Sequence, residues 1–150
     1  MTNNITIKSH EVVHFLKEDE GLYTLRPETN SFKDTILHGD ACVALTAIPS
    51  ESIQCIVTSP PYYCQRDYGE FGQLGQEKSP EQYILKLTNI FRECRRVLSD
   101  NGTLWLNLGD KYSNGRLLGM PWRVVLALVA DGWILRSDII WHKPNASHHL

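Results

Sequence analysis

The sequence predicts an α/β fold with a mostly parallel sheet that is covered by helices on both sides. From residue 35 onwards, short apolar segments alternate with segments of helical periodicity in the order β-α-β-loop-α-β-α-β. Turn-forming residues such as Gly39-Asp40 and Asp100-Asn101-Gly102 separate several of these segments. Strands that alternate with helices are typical of parallel sheets, because each helix carries the chain back across the sheet.

The first half of the chain supplies two predicted strands and a short helix. Residues 1–33 mix charged and polar residues without a clear period, and we make no structural prediction for them. The predicted domain covers residues 34–150. Its first elements are a strand at 35–38, a helix at 41–47 that ends before Pro49, a buried strand at 53–57 and a long loop at 63–78. Loops of that length in compact domains are more often functional than accidental.

A strong helix start follows this loop. Ser79 can cap the helix, Pro80 fits its first turn, and Gln82 occupies the capping-box position. The apolar residues of the helix share one face, and they are Tyr83, Ile84, Leu87, Ile90, Phe91, Cys94 and Leu98. Asp100-Asn101-Gly102 then predicts a turn into a strand at 103–108.

The last third of the domain is predicted to add one helix and one strand. A second loop at 109–119 precedes a helix from Pro121 to Ala130. This helix is apolar nearly all round, so we expect it to be buried, and Gly132 is placed to end it. The final predicted strand, residues 133–141, has apolar side chains on one face, namely Trp133, Leu135, Ile139 and Trp141.

The composition indicates a single folded domain. The chain has 150 residues, of which 42% are hydrophobic and 21% charged, and this argues against extensive disorder. A net charge of −2 argues against a protein that coats nucleic acid non-specifically, although a local basic surface would not show in the total.

The four cysteines lack Cys-x-x-Cys spacing, so we expect no metal site and interpret them as small buried hydrophobes in a reducing compartment. With no secretory signal and no bilayer-spanning run, the protein is expected to be cytoplasmic, without a membrane partner.

Ser59-Pro60-Pro61-Tyr62 is the candidate site for chemistry, because it follows the buried strand at 53–57. Ligands of open parallel sheets bind outside the carboxyl ends of the strands. The two prolines fix the backbone and lack amide donors, so a hydroxyl, bare carbonyls and an aromatic ring are held together. This set suits a planar base that stacks and donates hydrogen bonds from an amino group. Taken alone, the four residues fit equally well a strand end or a polyproline ligand for another protein.

Thr58-Ser59-Pro60-Pro61-Tyr62 after an apolar strand resembles the catalytic motif of the DNA amino-methyltransferases, which act on adenine N6 or cytosine N4. The family pattern continues in further segments: His38-Gly39-Asp40, Arg66-Asp67-Tyr68-Gly69, Gly72-Gln73-Leu74-Gly75, Arg95-Arg96-Val97-Leu98, Asn107-Leu108-Gly109-Asp110, Pro121-Trp122-Arg123, Asp131-Gly132-Trp133 and 139–145. Their order resembles the permuted subgroup in which the catalytic region comes first. The resemblance implies a Rossmann-like, S-adenosylmethionine-dependent methyltransferase fold, with residues 34–150 as its catalytic part.

The resemblance also implies a mechanism and a cofactor. The target base would rotate out of double-stranded DNA, since its amino group is otherwise paired and stacked. Tyr62 would stack on that base, while the Pro60 carbonyl and the Ser59 hydroxyl would accept hydrogen bonds from the amino group and Pro61 would keep the turn rigid. The nitrogen would attack the methyl group of S-adenosylmethionine directly, so no catalytic cysteine is expected. Serine before Pro-Pro favours cytosine N4 over adenine N6, although serine also occurs in adenine enzymes of the family.

Five further residues receive predicted roles through the resemblance. Asp40 would lie beside the adenine or ribose of S-adenosylmethionine, or serve as a turn residue, and Asp110 would line the same cleft. Tyr63, Trp141 and Lys143 are predicted to bind the substrate, with Lys143 at a phosphate or a base edge. For Trp141 a position in the core is the alternative.

One part of the family pattern is absent from the sequence. In the permuted subgroup, a glycine-rich Phe-x-Gly-x-Gly turn that binds the cofactor follows the region seen here, and Phe71-Gly72-Gln73-Leu74-Gly75 has the wrong spacing for it. We therefore expect an incomplete sheet with an open edge, and hence a homodimer or a partner that supplies the cofactor half. Three explanations stay open: a truncated product, one subunit of a split enzyme, or a degenerate domain that binds DNA or a partner protein without catalysis. RNA is an alternative substrate.

Overall fold

The computed structural model describes residues 5–8, 12–13, 36–37, 39–69 and 72–144. The predicted strand at 35–38 falls partly outside these ranges. Ile36 forms an isolated bridge, and Thr35 and His38 are not among the described residues.

A four-stranded sheet forms the centre of the fold. Its strands are β1 (Ile5–Lys8), β2 (Val12–Val13), β3 (Ile53–Thr58) and β4 (Leu98–Leu106), in the order β2-β1-β3-β4. β3 and β4 are parallel, and β1 runs antiparallel to both β2 and β3. The predicted α/β class and the parallel pairing of the two strands that flank the candidate site are therefore confirmed. The antiparallel hairpin lies in the segment for which we made no prediction.

The described residues include three helices beside the sheet, and these are α1 (Ala41–Thr46), α2 (Pro80–Val97) and α3 (Met120–Ala130). The predicted start of α2 is confirmed, since Ser79 Oγ accepts a hydrogen bond from the Gln82 amide at 3.4 Å and Pro80 lies in the first turn. Within the described ranges, no helix combines the length and the apolar character that crossing a bilayer requires.

The core lies along the buried face of α2. This face meets buried side chains from the neighbouring elements, such as Leu45 of α1, Ile56 of β3 and Val124 of α3. Its own buried residues are Tyr83, Leu87, Thr88, Phe91, Cys94 and Val97. Burial of one large apolar side chain contributes about 1.5–3 kcal/mol, so this face fixes α2 beneath the sheet end that carries the candidate site.

β4 is longer than predicted, and the predicted turn at Asp100-Asn101-Gly102 lies inside it. Leu98 pairs with Ile53, and the next pair joins Thr103 to Cys55, so the residues between Leu98 and Thr103 form an irregularity in the ladder. The correction has a physical reason, because a strand can absorb extra residues as a bulge without ending.

The predicted loop at 109–119 contains a two-stranded hairpin. Its strands are β5 (Tyr112–Ser113) and β6 (Arg116–Leu117). Asn114 and Gly115 join them with positive φ angles of 51° and 73°. An Asn-Gly pair favours this turn, because both residues tolerate positive φ.

Two predictions for the last third of the chain are wrong. α3 is not buried all round, because Met120, Val124 and Leu128 are buried while Trp122 and Leu126 are exposed. Residues 133–141 form no strand, and Ile140 is 87% exposed. An apolar face alone does not make a strand, because the backbone also needs a partner ladder, and none pairs with this segment in the described part of the chain.

Candidate active site

The candidate site lies where β3 and β4 end side by side. Thr58, the last residue of β3, pairs with Leu106, the last residue of β4, and the Asn107 amide donates to the Thr58 carbonyl at 2.9 Å. Parallel strands have their carboxyl ends at the same edge of a sheet. The segment 59–62 and the segment 107–110 therefore leave the sheet together.

Three polar side chains form a hydrogen-bonded cluster at this edge. Ser59 Oγ lies 3.1 Å from the Tyr62 hydroxyl, and Asn107 Nδ2 donates to that hydroxyl at 3.0 Å and to Ser59 Oγ at 3.5 Å. Ser59 and Asn107 are exposed, and Tyr62 is half-buried. The cluster is thus fixed in geometry and open to a ligand.

The two prolines between Ser59 and Tyr62 differ in their surroundings. Pro60 is buried, and Pro61 is half-buried with its carbonyl accepting a hydrogen bond from the Tyr83 hydroxyl at 2.8 Å. No donor of the described residues bonds the Pro60 carbonyl oxygen. The turn therefore has one carbonyl anchored to α2 and one that no described donor bonds.

Two glycines allow the close packing around Tyr62. A Cβ at Gly75, where φ is +96°, would lie 2.8 Å from the Tyr62 carbonyl oxygen. A Cβ at Gly109 would lie 2.6 Å and 2.7 Å from two carbons of the Tyr62 ring. Both glycines belong to segments of the family pattern. Because glycine has no side chain, the backbone at these two positions can pack directly against Tyr62.

Polar contacts join the two loops that border the site. Gln65 Nε2 donates to the Asp110 carbonyl at 2.6 Å, and Lys111 Nζ donates to the Cys64 carbonyl at 2.5 Å. The long loop after the motif is therefore bonded to the loop after β4, so the site has walls from both strands.

Tyr63, predicted to bind the substrate, lies in the core. It is 9% exposed, and its ring centroid is 5.6 Å from that of Tyr83 at an angle of 50°. Tyr63 therefore packs against α2 and is not part of the exposed cluster of Ser59, Tyr62 and Asn107.

The two predicted cofactor residues both cap helices. Asp40 Oδ1 accepts from the amides of Cys42 at 2.9 Å and Val43 at 3.3 Å, at the start of α1. Asp110 Oδ1 accepts from the amides of Lys111 at 2.8 Å and Met120 at 3.0 Å, the latter at the start of α3. The turn role that we considered for Asp40 is therefore present, and each carboxylate keeps a second oxygen that no described donor bonds.

Trp141 and Lys143 form no hydrogen bond with the described residues of the cluster. Trp141 is 80% exposed and Lys143 is also exposed, and neither has a hydrogen bond or ion pair with another described residue. The alternative of a core position for Trp141 is wrong, because the segment that carries it forms no strand.

The cysteines form no disulfide, and all four are free. Cys94 is buried in α2, and this burial raises the pKa of its thiol to about 12. Within the described ranges, no three His, Cys, Asp or Glu side chains are close enough to hold a metal ion.

Asn107 is the residue of the cluster that the sequence did not single out. It lies 45 positions after Tyr62, and only the pairing of β3 with β4 brings the two together. Asn107, like Asp110, lies near the carboxyl end of a predicted strand, where ligands of parallel sheets bind. This position could have identified Asn107 as a candidate site residue. Tyr83 and Glu77 were also missed, since they contact the backbone and belong to no recognised segment of the family pattern.

The comparisons with known proteins point to one family. The N6/N4 methyltransferase family model, described as DNA methylase, matches residues 53–149. The Type II methyltransferase M.Cfr9I of Citrobacter freundii is 44% identical over 141 residues, which cover 75% of this chain and 47% of M.Cfr9I. M.MwoI, a Type II methyltransferase of Methanothermobacter wolfeii, is 50% identical over 117 residues, which cover 75% of this chain and 18% of M.MwoI.

A solved structure is also similar. The PvuII DNA methyltransferase (cytosine-N4-specific) is 21% identical with a TM-score of 0.49, over 63% of this chain and 33% of its own. The chain spans half or less of the length of these relatives. The family match covers more than half of the chain and confirms the resemblance seen in the motif. The chain belongs to the N6/N4 DNA methylase family, the DNA amino-methyltransferases.

Proposed function

We propose that this chain is the catalytic part of a DNA methyltransferase that transfers a methyl group from S-adenosylmethionine to an exocyclic amino group. The observation that carries the proposal is the open cluster of Ser59, Tyr62 and Asn107 at the carboxyl ends of β3 and β4. Membership of the family supports the same chemistry.

Tyr62 would hold the flipped base by stacking. Its hydroxyl is bonded by Ser59 and Asn107, and Gly109 lies against its ring, so the ring is oriented before a base arrives. Part of the ring stays accessible because Tyr62 is half-buried. Stacking of a base on an aromatic side chain contributes about 1–3 kcal/mol.

Ser59 and Pro60 would accept hydrogen bonds from the amino group of that base. When the Ser59 hydroxyl donates to Tyr62 and its oxygen accepts from Asn107, one lone pair of Ser59 Oγ remains for the substrate. The Pro60 carbonyl oxygen offers a second acceptor. Two accepted bonds draw the nitrogen lone pair out of conjugation with the ring, and the exposed Ser59 hydroxyl can pass the released proton to solvent.

S-adenosylmethionine would supply an electrophilic methyl group. We assign Asp40 and Asp110 to its adenosine part, because each binds backbone amides through Oδ1 and has Oδ2 without a described donor. Those oxygens can accept hydrogen bonds from ribose hydroxyls. The fit extends to the ribose alone, and we assign no described residue to the methionine part.

The proposed substrate is double-stranded DNA with cytosine N4 as the target, and adenine N6 is the alternative. Ser59 before Pro60-Pro61 favours cytosine.

Trp141 and Lys143 are proposed substrate contacts, since both are exposed. Tyr63 we reassign to support of the turn, because it packs against Tyr83. The reaction would take place in the cytoplasm, where bacterial DNA lies, as part of a modification system.

A complementary segment would supply the rest of the cofactor site. Two observations support this part of the proposal: the chain spans 47% of M.Cfr9I, and large apolar side chains such as Trp122, Leu126 and Ile140 are exposed. The same observations favour a second candidate function, a non-catalytic subunit that binds DNA or a partner chain. Binding of S-adenosylmethionine by the isolated chain would count against that alternative.

The test is transfer of labelled methyl groups from S-adenosylmethionine to unmethylated DNA, followed by digestion to nucleosides. We expect label in N4-methylcytosine. Label in N6-methyladenine would keep the amino-group chemistry and change the base, whereas label on a ring carbon of cytosine would contradict the proposal. Competition with single-stranded RNA separates a DNA substrate from an RNA substrate.

A further inference from the structure

A side chain of α2 hydrogen-bonds the turn that carries Ser59 and Tyr62. Tyr83, in the first turns of this helix, is 1% exposed, and its hydroxyl donates to the Pro61 carbonyl at 2.8 Å. Proline has no amide hydrogen, so Pro60 and Pro61 can be anchored through polar contacts at their carbonyls alone. Tyr83 bonds one of these two carbonyls, and among the described residues no donor bonds the other.

A buried carboxylate supports the same turn from a second direction. Glu77 is 7% exposed, accepts from the Gly75 amide at 2.9 Å, and forms an ion pair with Lys86 Nζ of α2 at 2.9 Å. The Gly75 carbonyl in turn accepts from the Cys64 amide at 2.6 Å. Glu77 thus connects α2, through Gly75, to the backbone that follows Tyr62.

We propose that Tyr83 is a positioning residue for methyl transfer, with Glu77 as its support, and this inference rests on the function proposed above. The Pro61 carbonyl belongs to the planar peptide unit that leads into Tyr62. When the Tyr83 hydroxyl fixes that plane, it fixes the direction in which the Tyr62 ring leaves the backbone. The same bond keeps the Pro61 carbonyl on the core side, and the Pro60 carbonyl remains the acceptor for substrate.

The Tyr83 hydroxyl is suited to a permanent donor role. Burial raises the pKa of Tyr83 above its usual range, and the nearby Glu77 carboxylate raises it further. A raised pKa favours the neutral hydroxyl, which is the form that can donate to the Pro61 carbonyl.

Tyr83→Phe tests the proposal, with Thr88→Val as the matched control. Phenylalanine keeps the ring that packs against Tyr63 and loses the bond to Pro61. Thr88→Val also removes a buried hydroxyl of α2, but that hydroxyl bonds the Ile84 carbonyl within the helix. At saturating DNA and S-adenosylmethionine we expect kcat of Tyr83→Phe to fall about 10-fold to 100-fold, with KM for S-adenosylmethionine little changed. A kcat equal to that of Thr88→Val would overturn the proposal.

Hydrogen exchange separates failure of this inference from failure of the proposed function. The Cys64 and Gln65 amides, bonded to Gly75 and Tyr62, report on the turn without any activity. We expect them to exchange faster in Tyr83→Phe than in Thr88→Val, and equal exchange would overturn the inference. An unmodified chain that transfers no methyl group even together with the complementary segment would contradict the proposed function, while exchange would still decide the role of Tyr83. Should Tyr83→Phe not fold, Glu77→Gln, which loses the ion pair with Lys86, is expected to raise the same exchange rates.

Discussion

At the scale of single residues, Asn107 completes the site that Ser59 and Tyr62 begin. Its amide reaches both hydroxyls from the neighbouring strand, so it ties the end of β4 to the motif after β3. The members of the cluster lie in the segments that follow two paired strands, so the pairing of β3 with β4 brings them together.

We expect Asn107→Ala to slow methyl transfer about 10-fold to 100-fold while the protein stays folded, because Tyr62 loses the donor that orients its hydroxyl. The rate is measured in single turnover with excess protein, and folding by circular dichroism. Asn101→Ala is the control, since Asn101 is an exposed asparagine of β4, the strand that precedes Asn107. Equal rates for the two variants would remove Asn107 from the site.

The residue scale also shows what the sequence can and cannot predict about the site. Ser59 to Tyr62 is contiguous, so its position at a strand end could be predicted from the apolar run before it. Asn107 could not be assigned to the cluster, because its role depends on strand pairing across 45 positions. Tyr63 adjoins the motif, yet the turn directs its ring to the core, and sequence adjacency says nothing about that direction.

At the scale of elements, α2 is tied to α1 by one side chain. Arg96 Nη2 donates to the Leu45 carbonyl at 2.7 Å, and its Nη1 donates to the Ile48 carbonyl at 3.0 Å. These carbonyls lie at the carboxyl end of α1, where helix carbonyls lack partners within the helix. Arg96 therefore holds α1, and with it Asp40, against the core.

Arg96→Ala is expected to lower the free energy of unfolding by about 1–3 kcal/mol, since the bonds it removes involve a charged donor. Urea unfolding measures the change. Arg116→Ala, at an exposed position of β6, should leave the free energy of unfolding nearly unchanged. A loss of the same size in both variants would show that Arg96 does not tie the helices together.

The junction of α2 with α3 gives a prediction about pH. Arg92 of α2 bonds the Asp131 carboxylate through Nε at 2.8 Å and Nη2 at 2.6 Å, and these bonds lower the pKa of Asp131 below its ordinary 3.8. The lowered pKa belongs to the folded state. The pair thus stabilises the fold fully above the unfolded pKa, and its contribution is lost as the pH falls through the folded one.

Asp131→Asn should accordingly show a smaller acid-induced loss of stability than the natural protein. Thermal unfolding between about pH 2 and pH 5 measures it. We expect the two melting temperatures to converge as the pH falls. A difference that stays constant over this range would contradict the assignment.

Helices and strands differed in how well local sequence predicted them. The start of α2 was predicted to the residue, because Ser79, Pro80 and Gln82 act within one turn. The predicted strand at 133–141 was wrong, since apolar alternation indicates a face and does not identify a pairing partner. For α3 the composition predicted burial all round, but the described neighbours cover one side of the helix.

At the scale of the whole molecule, the exposed apolar side chains are concentrated after β4. Trp122 and Leu126 of α3 are 56% and 66% exposed, and Ile139, Ile140 and Trp141 are exposed still further. Exposed apolar side chains favour association in water. The half-length match to M.Cfr9I and this surface together support the proposed complementary segment.

The chain by itself is expected to self-associate through this surface. Ile140→Lys should shift it towards the monomer, because Ile140, at 87%, is the most exposed of the large apolar side chains in the described part of the chain. Size-exclusion chromatography with light scattering measures the shift. Ser137→Lys adds the same charge at an exposed polar position nearby and should leave association unchanged. A clean monomer of the natural chain would contradict the expectation.

Methyl transfer to unmethylated DNA is measured for the natural chain, for Tyr62→Ala and for Tyr112→Ala, each together with the complementary segment that completes the cofactor site. Tyr112 is a tyrosine of the exposed hairpin, 64% exposed and outside the cluster. We predict label on a base amino group, a rate about 10-fold to 100-fold lower for Tyr62→Ala with the fold intact, and an unchanged rate for Tyr112→Ala. Equal rates for Tyr62→Ala and the natural chain would contradict the account, because methylation would then not depend on the ring proposed to hold the base.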